Sequence, residues 1–156
     1  MMFKQLKNYF RNKNKSMSTS SEIRFDDTIP FVPPITGGKV IKVYDGDTIT
    51  IASKLPYEGS PLYRFSVRLN GIDAPEIKTK SEEEKKLAQK AKEKMSELVL
   101  GKDIILKNVQ TEKYGRILAD IYVDSIHVNE YMIEQGLAVR YNGGTKGTFD
   151  ENFGNN

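Results

Sequence analysis

"VYDGDTITI", residues 43–51, sets an aspartate on either side of one glycine, between two β-branched runs. Asp-Gly between alternating apolar segments signals a β-hairpin turn. Such a turn uses one aspartate, so the second acid asks for another reason. Working outward, KVIKVY and TITIAS are the paired strands. A loop with Pro56, Gly59 and Pro61 leads to a third strand, YRFSVRLNGI. Ser81 and Glu84 form an S-x-x-E capping box. Leu87, Ala88, Ala91, Met95, Leu98 and Val99 recur on one helical face, and Gly101 stands where a C-cap belongs. Strands KDIILKNV and RILADIYV follow, joined by TEKYG; Asn129 then caps a short helix, EYMIEQ, stopped at Gly136. This order predicts an α+β, mainly β fold. It is a five-stranded Greek-key OB-fold barrel, with a long helix between strands 3 and 4 and a short helix after strand 5, in preference to a parallel α/β sheet.

Three regions flank or form this domain. Residues 1–20 carry five Lys/Arg and no acid, and SMSTSS and PFVPP follow; residues 1–36 read as a basic, flexible arm. Phe3, Leu6 and Phe10 lie at helical spacing, so membrane association through the arm as an interfacial helix is the alternative to a solvated tail. Residues 37–141 are the folded domain, and the Gly/Asn-rich stretch 142–156 reads as a mobile tail. A chain of 156 residues with 38% hydrophobic residues supports one core, and the net charge of +3 suits a polyanionic partner. There are no cysteines and one histidine, His127, which reads as a turn or surface residue. Disulfides, cysteine–zinc sites and histidine-rich metal clusters are thereby excluded. No apolar run reaches bilayer length and no signal-peptide pattern is recognised, so the expected location is intracellular.

Charges gather at three strand ends: Asp45-Gly46-Asp47-Thr48, the segment from Arg68 to Glu76 (RLNGIDAPE), and Lys113-Tyr114-Gly115-Arg116. Hard cations such as Ca²⁺ or Mg²⁺ select carboxylate and carbonyl oxygens. Planar arginine matches a phosphodiester whose charge grows in the transition state, and a carboxylate such as Glu76 can take a proton from water. Together these suffice for metal-assisted phosphodiester hydrolysis. Each alone has a plainer reading: a turn, an exposed strand arginine paired with a helix glutamate, a helix entry, a hairpin tip. Lys85, Lys86, Lys90, Lys92 and Lys94 read as the wet face of the long helix.

With VYDGDTITI, RLNGIDAPE, EKYGRILADIYV and VNEYMIEQGLAVRY in that order, residues 38–141 resemble the staphylococcal nuclease-like (thermonuclease) domain family. The resemblance implies a Ca²⁺-dependent endonuclease, with Mg²⁺ the less favoured ion, that cleaves DNA and RNA with little sequence preference and leaves 3′-phosphates. It implies that Asp47 and Asp73 bind the metal with the backbone carbonyl of Ala74, and that Asp45 belongs to its inner or second shell. By the same likeness Glu76 is the general base, Arg68 and Arg116 grip the phosphate, and Lys113, Tyr114 and Tyr141 line the nucleotide site. Three departures stand out: Ala74 where the family often has Thr, a shorter loop between Glu76 and the long helix, and little sequence after Tyr141 where a further helix is usual. A monomer acting on nucleic acid is expected. The alternative is a non-catalytic OB-fold module for single-stranded nucleic acid, using the basic arm and Tyr114 or Tyr141 for stacking.

Overall fold

The computed structural model describes residues 22–144. The readings of a basic amphipathic start (Phe3, Leu6, Phe10) and of most of the C-terminal tail fall outside those residues. Two compact units divide at Pro30. The described part of the first has a short 3-10 helix, Phe25–Asp27, whose Asp27 carboxylate accepts from the Arg24 backbone N–H at 2.9 Å.

The second unit contains strands β1 (Gly37–Val43), β2 (Thr48–Ser53), β3 (Tyr63–Leu69), β4 (Ile72–Asp73), β5 (Asp103–Thr111), β6 (Ile117–Val123), β7 (Ile126–His127) and β8 (Val139–Arg140). Helix α1 spans Glu82–Val99 and α2 spans Val128–Glu134. The sheet runs β3-β2-β1-β5-β6-β7, and an added parallel pairing of β3 with β6 closes it. Five long strands thus form a closed OB-type barrel, as the strand order predicts. Closure removes the open edges that would otherwise invite pairing with another chain. The separate pair β4–β8 matches Ile72 with Arg140 and Asp73 with Val139.

Alternation fills the barrel. In β6, Ile117, Ala119, Ile121 and Val123 point inward between partly exposed neighbours. Ile49, Ile51, Val67 and Leu69 supply the facing residues from β2 and β3. Ile35, ahead of the first strand, is also in the core. Helix α1 lays Ala88, Ala91, Met95 and Val99 on this core, with each fully buried large side chain contributing about 1.5–3 kcal/mol. Gly101, at φ +76°, ends that helix and donates its N–H to the Val40 carbonyl at 2.9 Å.

Two local expectations change. Ser81 Oγ accepts from Glu84 N at 3.3 Å, but Glu84 does not return the bond; its carboxylate accepts instead from Thr79 Oγ1 at 2.8 Å. Asn129 does not cap α2, because the helix begins at Val128, two residues before the expected Glu130, and His127 holds the cap position. Asn129 is buried and works as a strut: its Oδ1 accepts from Ile121 N at 3.0 Å, and its Nδ2 donates to Asn70 O at 2.8 Å. His127 stacks on Tyr122 with ring centres 4.6 Å apart.

The glycine of the opening stretch also has a different purpose from turn handedness. Gly46 does not take a positive φ. A Cβ there would lie 2.8 Å from Ala91 Cβ and 2.9 Å from Ala74 Cβ. Glycine lets the hairpin loop touch both helix α1 and the segment after β4. Gly46→Ala is therefore expected to lower stability by about 1–3 kcal/mol through overpacking, measured as a shift of the urea midpoint without a change in slope. An unshifted midpoint would mean that these elements separate at no cost.

Candidate active site

The loop between β1 and β2 is built on its own acids. Asp45 Oδ1 accepts from the Asp47 N–H at 3.1 Å, an Asx-type turn, while Tyr44 N donates to Thr48 O at 2.9 Å. Asp47 then spans three elements. Its Oδ1 accepts from Thr48 Oγ1 at 2.8 Å and its Oδ2 from Ala74 N at 2.8 Å. Its backbone carbonyl accepts from Leu69 N at 2.8 Å.

Arg68 lies between the acids. Its Nη2 is 3.4 Å from Asp47 Oδ2 and 3.1 Å from Asp73 Oδ1. Its Nη1 donates to the carbonyls of Ile72 at 3.0 Å and Leu69 at 3.2 Å. Tyr141 packs on the guanidinium, 5.6 Å from ring centre to Cζ. The plainer expectation of an exposed strand arginine paired with the helix does not apply, since Arg68, Asp47 and Asp73 are all buried. Burying these charges is tolerable only because they face and hydrogen-bond one another.

A pocket of about 230 Å³ opens above this floor, lined by Asp45, Asp47, Arg68, Glu76 and Arg116, with Tyr44, Thr48 and Lys78 completing it. Residues from the β1–β2 loop, from β3 with its following segment and from the β5–β6 hairpin thus share one cavity. Asp73 and Ala74 adjoin it through their contacts with Arg68 and Asp47. Lys113 and Tyr114 do not line it. They sit on the exposed hairpin tip, where the Tyr114 ring is 5.0 Å from Lys113 Nζ and 6.0 Å from Arg116 Cζ.

Burial pushes the Asp45 carboxyl up to about 7, and the neighbouring Asp47 charge pushes the same way. Lost solvation is the larger cause and the like charge the smaller. Among the described residues no three acid or histidine side chains form a ready metal cage. The donors that do meet here are carboxylate, hydroxyl and carbonyl oxygens, which suit a hard cation and not zinc or copper.

The residue that sequence reasoning missed is Glu112. Its Oε1 accepts from Tyr114 N, Arg116 N and Arg116 Nε, each at 3.1 Å, and its Oε2 lies 3.4 Å from Arg116 Nη2. One carboxylate thus shapes the hairpin tip and fixes the pocket arginine. The available signal was an acid four residues before an arginine across a Tyr-Gly turn, although that spacing by itself suggests only a surface pair.

With the geometry in place, the family model described as "Staphylococcal nuclease homologue" matches residues 66–153, more than half of the chain. The chain belongs to that family. Among similar proteins, an "Uncharacterized endonuclease" of Escherichia coli is 33% identical over 105 residues, 67% of this chain and 60% of the relative. One of the same description from Haemophilus influenzae is 35% identical over 103 residues, 66% of this chain and 51% of the relative. A "Probable staphylococcal-like nuclease CAN1" of Oryza sativa subsp. japonica is 35% identical over 78 residues, 50% of this chain and 22% of the relative. The chain therefore spans between about a fifth and three-fifths of the length of these relatives.

Glu112 supplies a pH prediction. Burial raises its pKa, but the hydrogen bonds from Arg116 and the backbone N–H groups outweigh this and hold it below the usual glutamate value. A depressed folded value means stability present above the unfolded pKa, about 4.3–4.5, and lost as pH falls through the folded one. Glu112→Gln should cost about 1 kcal/mol at pH 7, discounted for the partly exposed arginine. The gap from wild type should narrow from pH 6 to pH 3 in denaturant titrations. A gap that does not change with pH would remove the ion pair from the account.

Proposed function

We propose that this protein is an endonuclease that hydrolyses phosphodiester bonds of DNA or RNA with the help of a hard divalent cation, Ca²⁺ ahead of Mg²⁺. The observation that carries the reading is the convergence of Asp45, Asp47, Arg68, Glu76 and Arg116 on one pocket from separate parts of the chain. Membership of the nuclease family and the printed names of similar proteins support it.

Asp47 and Asp73, with the Ala74 carbonyl and Asp45 beside them, would hold the ion. When bound, it would offset the acid surplus and polarise the phosphoryl oxygens. The chain's own groups do the rest. Arg68 and Arg116 bind the non-bridging oxygens of the scissile phosphate and stabilise the charge that builds there. Glu112 holds the Nε edge of Arg116, so that guanidinium is oriented before substrate arrives, which lowers the entropic cost of binding. Glu76 accepts a proton from the attacking water as its oxygen bonds to phosphorus. The bond from phosphorus to the 5′-oxygen breaks, the departing alkoxide takes a proton from solvent water, and a 3′-phosphate remains. Tyr141, packed on Arg68, and Tyr114, on the hairpin tip, would stack on bases with their remaining ring faces, which favours little sequence discrimination.

Two measurements test this. Cleavage of DNA and RNA oligonucleotides should require added Ca²⁺ and stop with chelator; activity unchanged by chelation would remove the ion from the mechanism. Glu76→Gln should reduce turnover by about 10²–10⁴, the usual worth of a positioned proton acceptor, while substrate affinity by fluorescence anisotropy stays within about threefold, roughly 0.6 kcal/mol. A variant that cleaves normally would show that another group takes the proton. A protein that binds oligonucleotides and never cleaves them would support the binding-module alternative.

A further inference from the structure

Among the residues lining the cavity, Tyr44 has no part in the proposed hydrolysis. It supplies the one aromatic ring among the described residues of that lining; the rest is charged or hydroxyl-bearing. Tyr44 stands one residue beyond the last rung of the β1–β2 ladder, Val43 with Ile49. Val43 turns into the core, so the alternation carries the next side chain to the opposite face. The backbone there is fixed, because Tyr44 N and Asp45 N both donate to the Thr48 carbonyl, at 2.9 and 3.3 Å. A tyrosine turns about only two side-chain torsions, so holding its ring against a partner costs little conformational entropy.

The fold makes no use of this ring. Tyr44 lies outside the core cluster and is 45% exposed. Among the described residues it stacks on no other ring, and its hydroxyl takes part in no hydrogen bond. The two tyrosines already assigned to the nucleotide are placed differently. Tyr141 packs on the Arg68 guanidinium, and Tyr114 faces Lys113 and Arg116 on the hairpin tip; neither lines the cavity. A lone exposed tyrosine needs no explanation. This one shares a cavity with two arginines suited to a phosphate, so its open face fits a flat group that arrives joined to an anion. A nucleotide unit, with base and phosphate linked through one sugar, is such a group.

We propose that Tyr44 is a specificity residue, whose ring stacks on the base of a nucleoside bonded directly to the scissile phosphate. This rests on the nuclease reading and narrows its substrates to phosphodiesters that carry a base beside the bond to be cut. Arg68 and Arg116 hold the phosphate by charge. The stacked base limits how that phosphate can turn between them, so binding energy from outside the reacting centre orients it. Every base has a π-face, so the contact demands a base without choosing among the four. An abasic phosphodiester keeps the charge and loses the orientation.

The test uses the full chain with Ca²⁺ and a thymidine dinucleotide, which has a single phosphodiester, beside two analogues that each lack one base. Tyr44→Ala should lower kcat/KM on the complete dinucleotide by about tenfold, within the worth of base–aromatic stacking by alanine substitution. Tyr44→Phe, which keeps the ring, should recover most of that loss. One of the two abasic analogues should cost the wild-type chain a similar factor and cost Tyr44→Ala almost nothing more, because ring and base act as an interacting pair. The urea midpoint checks that each variant is folded. A second measurement leaves position 44 intact: a dinucleotide carrying iodouracil, irradiated with the Glu76→Gln chain, should cross-link to Tyr44. Full activity in Tyr44→Ala, an equal loss in Tyr44→Phe, base losses that are the same in wild-type and Tyr44→Ala chains, or a cross-link on Tyr114 or Tyr141 without Tyr44 would each overturn the assignment. Failure of the nuclease reading would appear separately, as absent cleavage of every substrate by the wild-type chain, and the cross-link would still be read.

Discussion

The Asp47 carboxylate is the constraint around which the domain is arranged. One buried group receives the Ala74 amide, the Thr48 hydroxyl and the Arg68 guanidinium, while its own carbonyl takes the Leu69 amide. These contacts tie the first hairpin loop to β3 and to the segment after β4. A buried ion left without its partners is among the most costly defects a small domain can carry. The loop, the strand end and the acidic segment are thus held together as a unit that frames the cavity.

The same node explains how opposite charges sit so close within one cavity. Arg68 compensates Asp47 and Asp73 from below, whereas Asp45 is left with a like charge and little solvent. Arg116 is restrained from the other side by Glu112. Positive and negative charges are therefore separated across a few ångströms and pinned by neighbours. Such fixed dipoles stabilise a charged transition state without having to reorganise.

Much of the fold was legible because barrel strands alternate and an amphipathic helix repeats at its own period. The runs around Val40, Ile49 and Val67 and the stripe from Ala88 to Val99 announced themselves. The five pocket residues were legible as a joint pattern at strand ends, although each alone reads as a turn or a surface pair. What stayed hidden depended on distant partners. Gly46 suggested a hairpin and did mark one, but its need for glycine comes from Ala91 and Ala74, far along the chain. Asn129 looked like a cap because asparagine so often is one, and no local rule shows that its amide would meet Ile121 and Asn70. Glu112 was passed over because an acid and an arginine four apart are usually exposed; the pocket beside them is visible only after the barrel closes through β3 and β6.

The two-residue pairing of β4 with β8 has a topological implication. Asp73 sits on a strand whose backbone partner, Val139, is 66 positions later, and the Tyr141 amide completes the seam at Gly71. That partner follows every long strand of the barrel in the chain. The acidic segment is therefore held by a seam of high sequence separation, whose closure carries a loop-entropy cost. Because that pair forms a sheet of its own, the backbone of Asp73 is tied to residues far downstream and not to the ladder of the barrel.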